Sequence, residues 1–161
     1  MSSVPLHYKI ALGMIPGVGD ITARRLVSYT GSVEAVFRES FRNLTRIPGI
    51  GESLASAIAS HDYLPAAERE AEFVSRNSIK VFFYLDDDYP VRLSQCEDSP
   101  VTFYMRGNAD LDTPMILSIV GTRHATQHGR ELCQRILAGL ADHFPKLLII
   151  SGLAYGIDIA A

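Results

Sequence analysis

Two short runs of small and polar residues carry the chemistry that this sequence suggests. Gly121-Thr122-Arg123 follows one apolar run, and Ser151-Gly152 follows another. An arginine offers a bidentate fork to a phosphate, backbone amides add neutral donors, and glycines let the backbone approach closely. These residues favour a phosphate as ligand. In the alternative interpretation Arg123 is a surface residue and the glycines merely close turns.

The same runs do not match nucleotide-cofactor fingerprints or a catalytic centre. The segment 121–126 is not G-x-G-x-x-G, no Walker A lysine is present, and the place of a ribose-binding carboxylate is held by Ser151 and Gly152. Ser151 has no histidine implied near it, and Asp158 could cap or pair within the fold. We therefore expect no catalytic residue and no cofactor.

Metal ligation is also not expected. His124 and His128 are four residues apart, but no third ligand is evident, and Gly129 suggests that the helix begins only about there. The consecutive aspartates at 86–88 cannot all point inward and are typical of a solvated turn. The two cysteines lack CxxC or Cys/His spacing, so we expect them to be reduced.

A strand–helix–strand unit is predicted to position the two runs. Apolar strands at 115–120 and 147–150 flank a helix of about four turns. The expected buried face of this helix consists of Leu132, Ile136, Leu137, Leu140 and Phe144. Such a pattern predicts parallel strands, buried on both faces and joined by a right-handed crossover. Ligands bind at the carboxyl ends of such strands, where both runs lie.

The first 60 residues contain an internal repeat. An Ile-Pro-Gly-x-Gly phrase followed by an acidic residue occurs twice, 32 residues apart, and each copy predicts a helix-hairpin-helix. Its glycines are Gly17, Gly19, Gly49 and Gly51. The helix amides behind them could hold a DNA phosphate, helped by Arg24, Arg25 and Arg46. The alternative is a plain packing unit, because Asp20 and Glu52 occupy the helix ends and repel phosphate.

The remaining patterns complete the predicted order of elements. We expect helices at 4–14, 33–41 and 64–77, strands at 81–84 and 101–105, and a turn at 86–90. The predicted domains are a helical helix-hairpin-helix domain over residues 1–62, a connecting helix over 63–79 and an α/β domain over 80–161.

Composition and charge limit the classes of function. With 161 residues, 47% hydrophobic and 20% charged, the chain is typical of soluble globular proteins. No membrane span or signal peptide is evident, so the cytoplasm is expected. The net charge of −3 combines +2 over residues 1–60, −6 over 61–114 and +1 over 115–161. This distribution excludes coating of nucleic acid through bulk charge but permits a polyanionic ligand.

Four ordered motifs and the repeat resemble the DNA-processing protein A family (DprA, also called Smf). Gly121-Thr122-Arg123 with Gly129 is similar to its G-S-R…Y-G phrase, and residues 151–158 are similar to its S-G-L-A-x-G-I-D signature. Residues 88–93 resemble its Y-P-x-x-L segment and residues 98–107 its D-x-P…L-Y-x-x-G segment. The repeat is similar to its sterile-alpha-motif-like helical domain. The resemblance covers essentially the whole chain.

The resemblance implies a Rossmann-like domain that binds single-stranded DNA without sequence preference and delivers it to the RecA recombinase, chiefly in natural transformation. The family's arginine contact carries over to Arg123. The DNA-binding residues so expected are Gly121, Thr122, Arg123, His128, Gly129, Ser151, Gly152, Tyr155 and Gly156. Thr122 replaces the usual serine and His128 the usual tyrosine, while Tyr155 is the nearest candidate for stacking on a base.

The resemblance also implies that the parallel sheet is truncated at Ala161, and that the homodimer surface and the RecA contact lie beyond it. Two other functions stay open. One is a phosphoribohydrolase-type enzyme acting on nucleoside monophosphates, although its P-G-G-x-G-T-x-x-E phrase does not occur in this sequence. The other is a helix-hairpin-helix scaffold whose following domain is purely structural.

Overall fold

The structure is a computed structural model that describes residues 4–161. The chain consists of two compact units, Met1–Gly107 and Asn108–Ala161. None of the helices in the described residues is both long and apolar enough to cross a membrane.

The first unit is mainly helical and contains the predicted repeat. Its helices are α1 (Leu6–Met14), α2 (Asp20–Thr30), α3 (Val33–Arg38), α4 (Phe41–Leu44), α5 (Glu52–Ala59) and α6 (Leu64–Arg76). In both hairpins the first glycine is left-handed, with φ of 87° at Gly17 and 81° at Gly49. The second glycine, Gly19 or Gly51, is extended and directly precedes a helix. The tandem helix-hairpin-helix prediction is confirmed.

One predicted helix is divided in two. The expected helix over residues 33–41 ends at Arg38, because Glu39 adopts an extended conformation. Ser40 then caps the next helix, and its hydroxyl oxygen accepts a hydrogen bond from the Asn43 amide at 3.2 Å. Serine favours this position because its side chain satisfies an otherwise unpaired amide of the first turn. The single-helix prediction was therefore wrong.

The first unit also includes two antiparallel strands. The strands β1 (Lys80–Phe83) and β2 (Thr102–Met105) pair directly, with the short helix α7 (Val91–Ser94) between them in sequence. Phe83 and Val101 belong to the same buried hydrophobic cluster as residues of α1 and α6. Because of this shared core, the compact units divide after residue 107 and not near residues 62–80. The predicted domain boundaries fall inside the first unit and stay a prediction.

The second unit is the predicted strand–helix–strand element. It contains β3 (Ile116–Ile119), α8 (Gln127–His143), β4 (Leu148–Ser151) and a short 3-10 helix (Asp158–Ala160). β3 and β4 are parallel neighbours, with Ile116 opposite Leu148 and Ile119 opposite Ser151. A helical region followed by a small parallel sheet is the fold class that the sequence predicts.

The burial predicted for this unit was partly wrong. Leu132, Ile136 and Phe144 are exposed, whereas the half-buried side chains of α8 include Cys133, Leu137 and Leu140. The strands are not buried on both faces either, since Ser118 and Ile150 are exposed. A sheet of two strands offers little surface, and these three side chains of the α8 stripe are left without cover. The periodicity therefore identifies the helix but not which part of its stripe is covered.

Candidate functional site

The two predicted runs meet at the carboxyl ends of β3 and β4. We call residues 121–123 and 151–156 the paired turns. The amide of Ile157 donates a hydrogen bond to the carbonyl oxygen of Thr122 at 3.2 Å, which joins the segments directly behind the strand ends. This is the edge at which parallel sheets bind ligands. The structure therefore brings both predicted halves of the site together.

Glycines allow the paired turns to approach this closely. A Cβ atom at Gly121 would overlap the side chain of Ile157, and one at Gly156 would overlap the carbonyl oxygen of Thr122. Gly156 also has a φ of 95°, which side chains of L-residues rarely permit. The two predicted glycines are thus required by the packing of one turn on the other.

Asp158 holds the paired turns together from inside, a role that the sequence left open. Its side chain is buried, and Oδ1 accepts a hydrogen bond from the Gly121 amide at 3.1 Å. The hydroxyl of Ser151 donates a bifurcated hydrogen bond to the carbonyl oxygens of Ile119 and Asp158, at 3.0 and 3.1 Å. Ser151 and Asp158 therefore shape the turns. The sequence signal was the spacing of seven positions between Ser151 and Asp158, but it does not reveal which way the carboxylate points.

Arg123 is the cation of the paired turns. Its side chain is exposed, and no carboxylate in residues 4–161 lies within ion-pair distance of it. On the other turn, the amides of Leu153, Ala154 and Tyr155 donate to no acceptor in the described part of the chain. Leu153 is left-handed, with a φ of 58°. Successive unpaired amides around a left-handed residue form a concavity that suits an anion.

The first turn of α8 adjoins this concavity. α8 begins at Gln127, two residues before the predicted start, because the Thr126 hydroxyl accepts a hydrogen bond from the Gly129 amide at 3.1 Å. A Cβ atom added to Gly129 would lie 3.8 Å from Cδ1 of Ile157, so this turn lies beside the 151–158 segment. His128 is exposed there. His124 precedes the helix and therefore does not share a helical face with it.

Two of the three hairpin arginines, Arg24 and Arg25, are engaged inside the first unit, whereas Arg46 is exposed. Arg24 Nη2 donates to the carbonyl oxygen and to Oγ of Ser99, at 2.9 and 2.7 Å, and the guanidinium lies 4.5 Å from the ring centroid of Tyr84. Burial raises the pKa of the Tyr84 hydroxyl above its ordinary value, and the nearby Arg24 charge partly opposes that rise. Arg25 Nη1 donates to the carbonyl oxygen of Pro48 at 2.9 Å.

The carboxylate at the start of α2 is also engaged. Asp20 Oδ1 accepts a hydrogen bond from the Val101 amide at 2.7 Å. Arg25 lies so close to the second hairpin that a Cβ atom at Gly49 would overlap its guanidinium. These contacts join α2 to the strand region and to the second hairpin, and a DNA-binding role for Gly17, Gly19 and the other hairpin residues stays a prediction.

Two of the three aspartates at 86–88 lie in ion pairs. The Lys9 ammonium group donates to both carboxylate oxygens of Asp86, at 2.6 and 2.7 Å. Asp88 pairs with Lys80 at 3.0 Å. Across residues 4–161, no cluster of three or more His, Cys, Asp or Glu side chains is arranged to hold a metal ion.

Comparison with known proteins identifies both parts of the chain. Residues 80–161 match the DNA recombination-mediator protein A family, and residues 10–61 match the SAM-like helix-hairpin-helix tandem. The DNA processing protein DprA of Streptococcus pneumoniae is 40% identical over 80 residues, which are 50% of this chain and 27% of that protein. UvrABC system protein C of Arthrobacter sp. is 40% identical over 67 residues, which are 42% of this chain and 10% of that protein.

A solved structure extends the likeness to almost the whole chain. The X-ray structure of DprA from S. pneumoniae superimposes with a TM-score of 0.64 at 26% identity, over 96% of this chain and 52% of that chain. This chain thus spans about half of the solved relative. Since the family match covers half of the sequence and includes both of the paired turns, the chain belongs to the DNA recombination-mediator protein A family.

Proposed function

We propose that this chain binds single-stranded DNA without sequence preference at the paired turns. The observation that carries the proposal is the exposed, unpaired guanidinium of Arg123 on a turn whose backbone packs against the turn with the unpaired amides of residues 153–155. A guanidinium and backbone amides both bind phosphate oxygens, which are the same in every nucleotide. His128 and Gly129, in the adjoining turn of α8, would lie beside the same DNA strand.

A binding role without catalysis is the simplest chemistry that these residues support. The hydroxyl of Ser151 donates to backbone carbonyl oxygens, so no base activates it as a nucleophile. Asp158 accepts a backbone amide and shapes a turn. No observation favours the phosphoribohydrolase alternative, and we propose that the protein is not an enzyme.

We propose further that the bound strand is delivered to the RecA recombinase in the cytoplasm during DNA uptake, and that the whole protein acts as a homodimer. The support is family membership and the likeness to the S. pneumoniae protein. The time that RecA needs to begin ATP hydrolysis on oligo-dT coated with single-strand-binding protein tests the delivery step. We expect the chain to shorten this delay, and an unchanged delay would contradict delivery by this chain.

Fluorescence anisotropy of labelled oligo-dT and of its duplex tests DNA binding. We expect the wild-type chain to prefer the single strand and to bind more weakly as salt rises. Arg123→Ala should weaken single-strand binding about tenfold to a hundredfold, because a charge-assisted contact with phosphate is lost. The slope of log affinity against log salt should become shallower by about 0.7 for the lost phosphate contact.

Arg69→Ala is the matched control. Arg69 is an exposed arginine of α6 in the first unit, so its removal subtracts the same charge away from the paired turns. We expect this variant to bind as the wild type does. Undiminished binding by Arg123→Ala would contradict the proposal that DNA binds at the paired turns. Equal losses of affinity in both variants would mean that binding depends on the net charge of the chain and not on this site.

A further inference from the structure

The backbone of Leu153 adopts an unfavourable conformation. Its φ is 58°, and the other non-glycine residues with positive φ in the described chain are His61 and Ser78. The left-handed region brings Cβ close to the following carbonyl oxygen, and leucine has no polar side-chain group to compensate locally. Residues held in such conformations cluster at ligand-binding sites, where the surroundings impose them.

Burial of the leucine side chain does not offset this strain. Leu153 is 83% exposed and Tyr155 is 82% exposed. The residue after Tyr155, Gly156, presses on the backbone of Thr122 and Arg123. An apolar and an aromatic side chain therefore stand in solvent on the turn that packs against the arginine turn.

Phosphates and bases require different partners. Arg123 and the amides of residues 153–155 suit phosphate, but they leave the apolar faces of the bases in water. Aromatic and apolar side chains beside a cationic backbone site are the usual partners of unpaired bases, and stacking is tolerant of sequence. In a duplex those base faces are already stacked on their neighbours and are not accessible.

We propose that Leu153 and Tyr155 form the base-contacting side of the paired turns and make the site selective for single strands over duplex. The inference rests on the proposed DNA-binding function and adds contacts with the bases to the contacts with phosphate. Arg123 holds the phosphate, Tyr155 stacks on one unpaired base, and Leu153 packs against the exposed face of a base beside it. The left-handed backbone at Leu153 directs its side chain into solvent, where the base would lie.

An abasic oligonucleotide separates phosphate contacts from base contacts. We would measure the affinities of the full chain for oligo-dT, for an abasic strand of equal length and for the duplex. The wild type should bind oligo-dT about tenfold more tightly than the abasic strand, as expected for one stacked base. Leu153→Gly and Tyr155→Ala should lose most of that advantage and retain affinity for the abasic strand.

The choice of variants keeps the fold intact. Glycine adopts a φ of 58° readily, so Leu153→Gly deletes the side chain without disturbing the turn. Tyr155→Phe retains the ring and should keep the preference for oligo-dT over the abasic strand. Tyr29→Ala removes an exposed tyrosine of the first unit and is the control. The unfolding temperature of Leu153→Gly should not fall below that of the wild type, because glycine relieves the backbone strain at this position.

The outcomes distinguish the two proposals. Equal affinity of the wild type for oligo-dT and the abasic strand would overturn the base contacts while leaving phosphate binding at Arg123 intact. An equal loss for both strands in Leu153→Gly would also overturn them, because it would mean that the residue only shapes the turn. Absence of binding to any strand, or binding that Arg123→Ala does not weaken, would overturn the proposed function itself.

Discussion

Each residue of the paired turns has a separate task. Gly121 and Gly156 provide the space for one turn to pack on the other, and Asp158 satisfies the Gly121 amide from the inside. Arg123 and Tyr155 remain exposed. The residues that shape the site are therefore distinct from those free to contact a ligand, so variants of the two groups should differ in their effect on stability.

Gly156→Ala tests the shaping residues. The added Cβ atom would overlap the carbonyl oxygen of Thr122 in a backbone conformation that alanine disfavours, so the turns must separate. We expect a loss of about 1–3 kcal/mol in the stability of the second unit, and weaker binding of single-stranded DNA. Amide hydrogen exchange of β3 and β4, with anisotropy on the same sample, measures both effects.

Gly139→Ala is the matched control for this substitution. Gly139 lies inside α8, and a Cβ atom there meets no other atom within 4 Å. Alanine in a helix interior is more stable than glycine by about 0.5–1 kcal/mol, so this variant should be slightly stabilised and bind normally. If Gly156→Ala behaved in the same way, close packing of the paired turns would not be needed for the site.

The sequence predicted the glycines and the arginine of the paired turns better than the contacts that hold the turns together. Gly121, Arg123 and Gly156 lie in short motifs whose chemistry can be interpreted without coordinates. Asp158 could not be assigned, because its partner is a backbone amide 37 residues away. The strain at Leu153 was equally hidden, since leucine is not a residue that indicates a left-handed backbone.

At the level of elements, polar contacts join α2 to the strand region and to the second hairpin. Asp20 accepts the Val101 amide, and Arg24 donates twice to Ser99 while covering Tyr84. Arg25 donates to Pro48 in the second hairpin. Two of the three arginines that a phosphate would need are thus already bonded, which favours the packing interpretation of the repeat over DNA contact, while the third, Arg46, is exposed.

Arg24→Ala separates the two interpretations. Its loss leaves two oxygens of Ser99 without their donor and uncovers Tyr84, so we expect the first unit to lose about 1–3 kcal/mol of stability. Binding of oligo-dT should not change. Chemical denaturation and anisotropy provide the measurements, with Arg42→Ala as an exposed arginine control from α4. A variant of normal stability that bound DNA poorly would instead support a phosphate contact at the first hairpin.

Local sequence patterns predicted the helices and strands. Which residue caps a helix, and which side chains of a helix become buried, depends on the rest of the fold. The hairpin phrases and the strand–helix–strand unit were visible because their signals are contiguous. The split after Arg38 depends on which of several polar residues caps a helix, and Ser40 does so. The exposure of Ile136 depends on which other elements pack against α8, and periodicity does not contain that information.

At the level of the whole molecule, the buried core is concentrated in the first unit. Every member of the hydrophobic core cluster lies before residue 102, from Ile10 to Val101. Among the described residues of the second unit, Ala125 is the only buried hydrophobic residue. Family membership divides the sequence differently, since the match over residues 80–161 includes β1 and β2. The strands that sequence similarity assigns to one domain therefore obtain their burial from the helices before them.

A fragment of residues 1–107 should consequently fold without the rest of the chain. Its core is complete in the absence of residues 108–161, and stability follows from buried apolar surface. We expect cooperative thermal unfolding and a helical circular dichroism spectrum. Ending the fragment at residue 79 would remove Phe83 and Val101 from the core and should lower the unfolding temperature.

The same fragment decides whether the hairpins contribute to DNA binding. It retains both hairpins and lacks Arg123, Leu153 and Tyr155, so we expect no detectable binding of oligo-dT at a salt concentration where the full chain binds. Because Arg24 and Arg25 are engaged in the fold, their charge is less available to phosphate than that of an exposed arginine. A folded fragment that bound oligo-dT as tightly as the full chain would move the site to the hairpins, and the exposed guanidinium of Arg123 would then need another explanation.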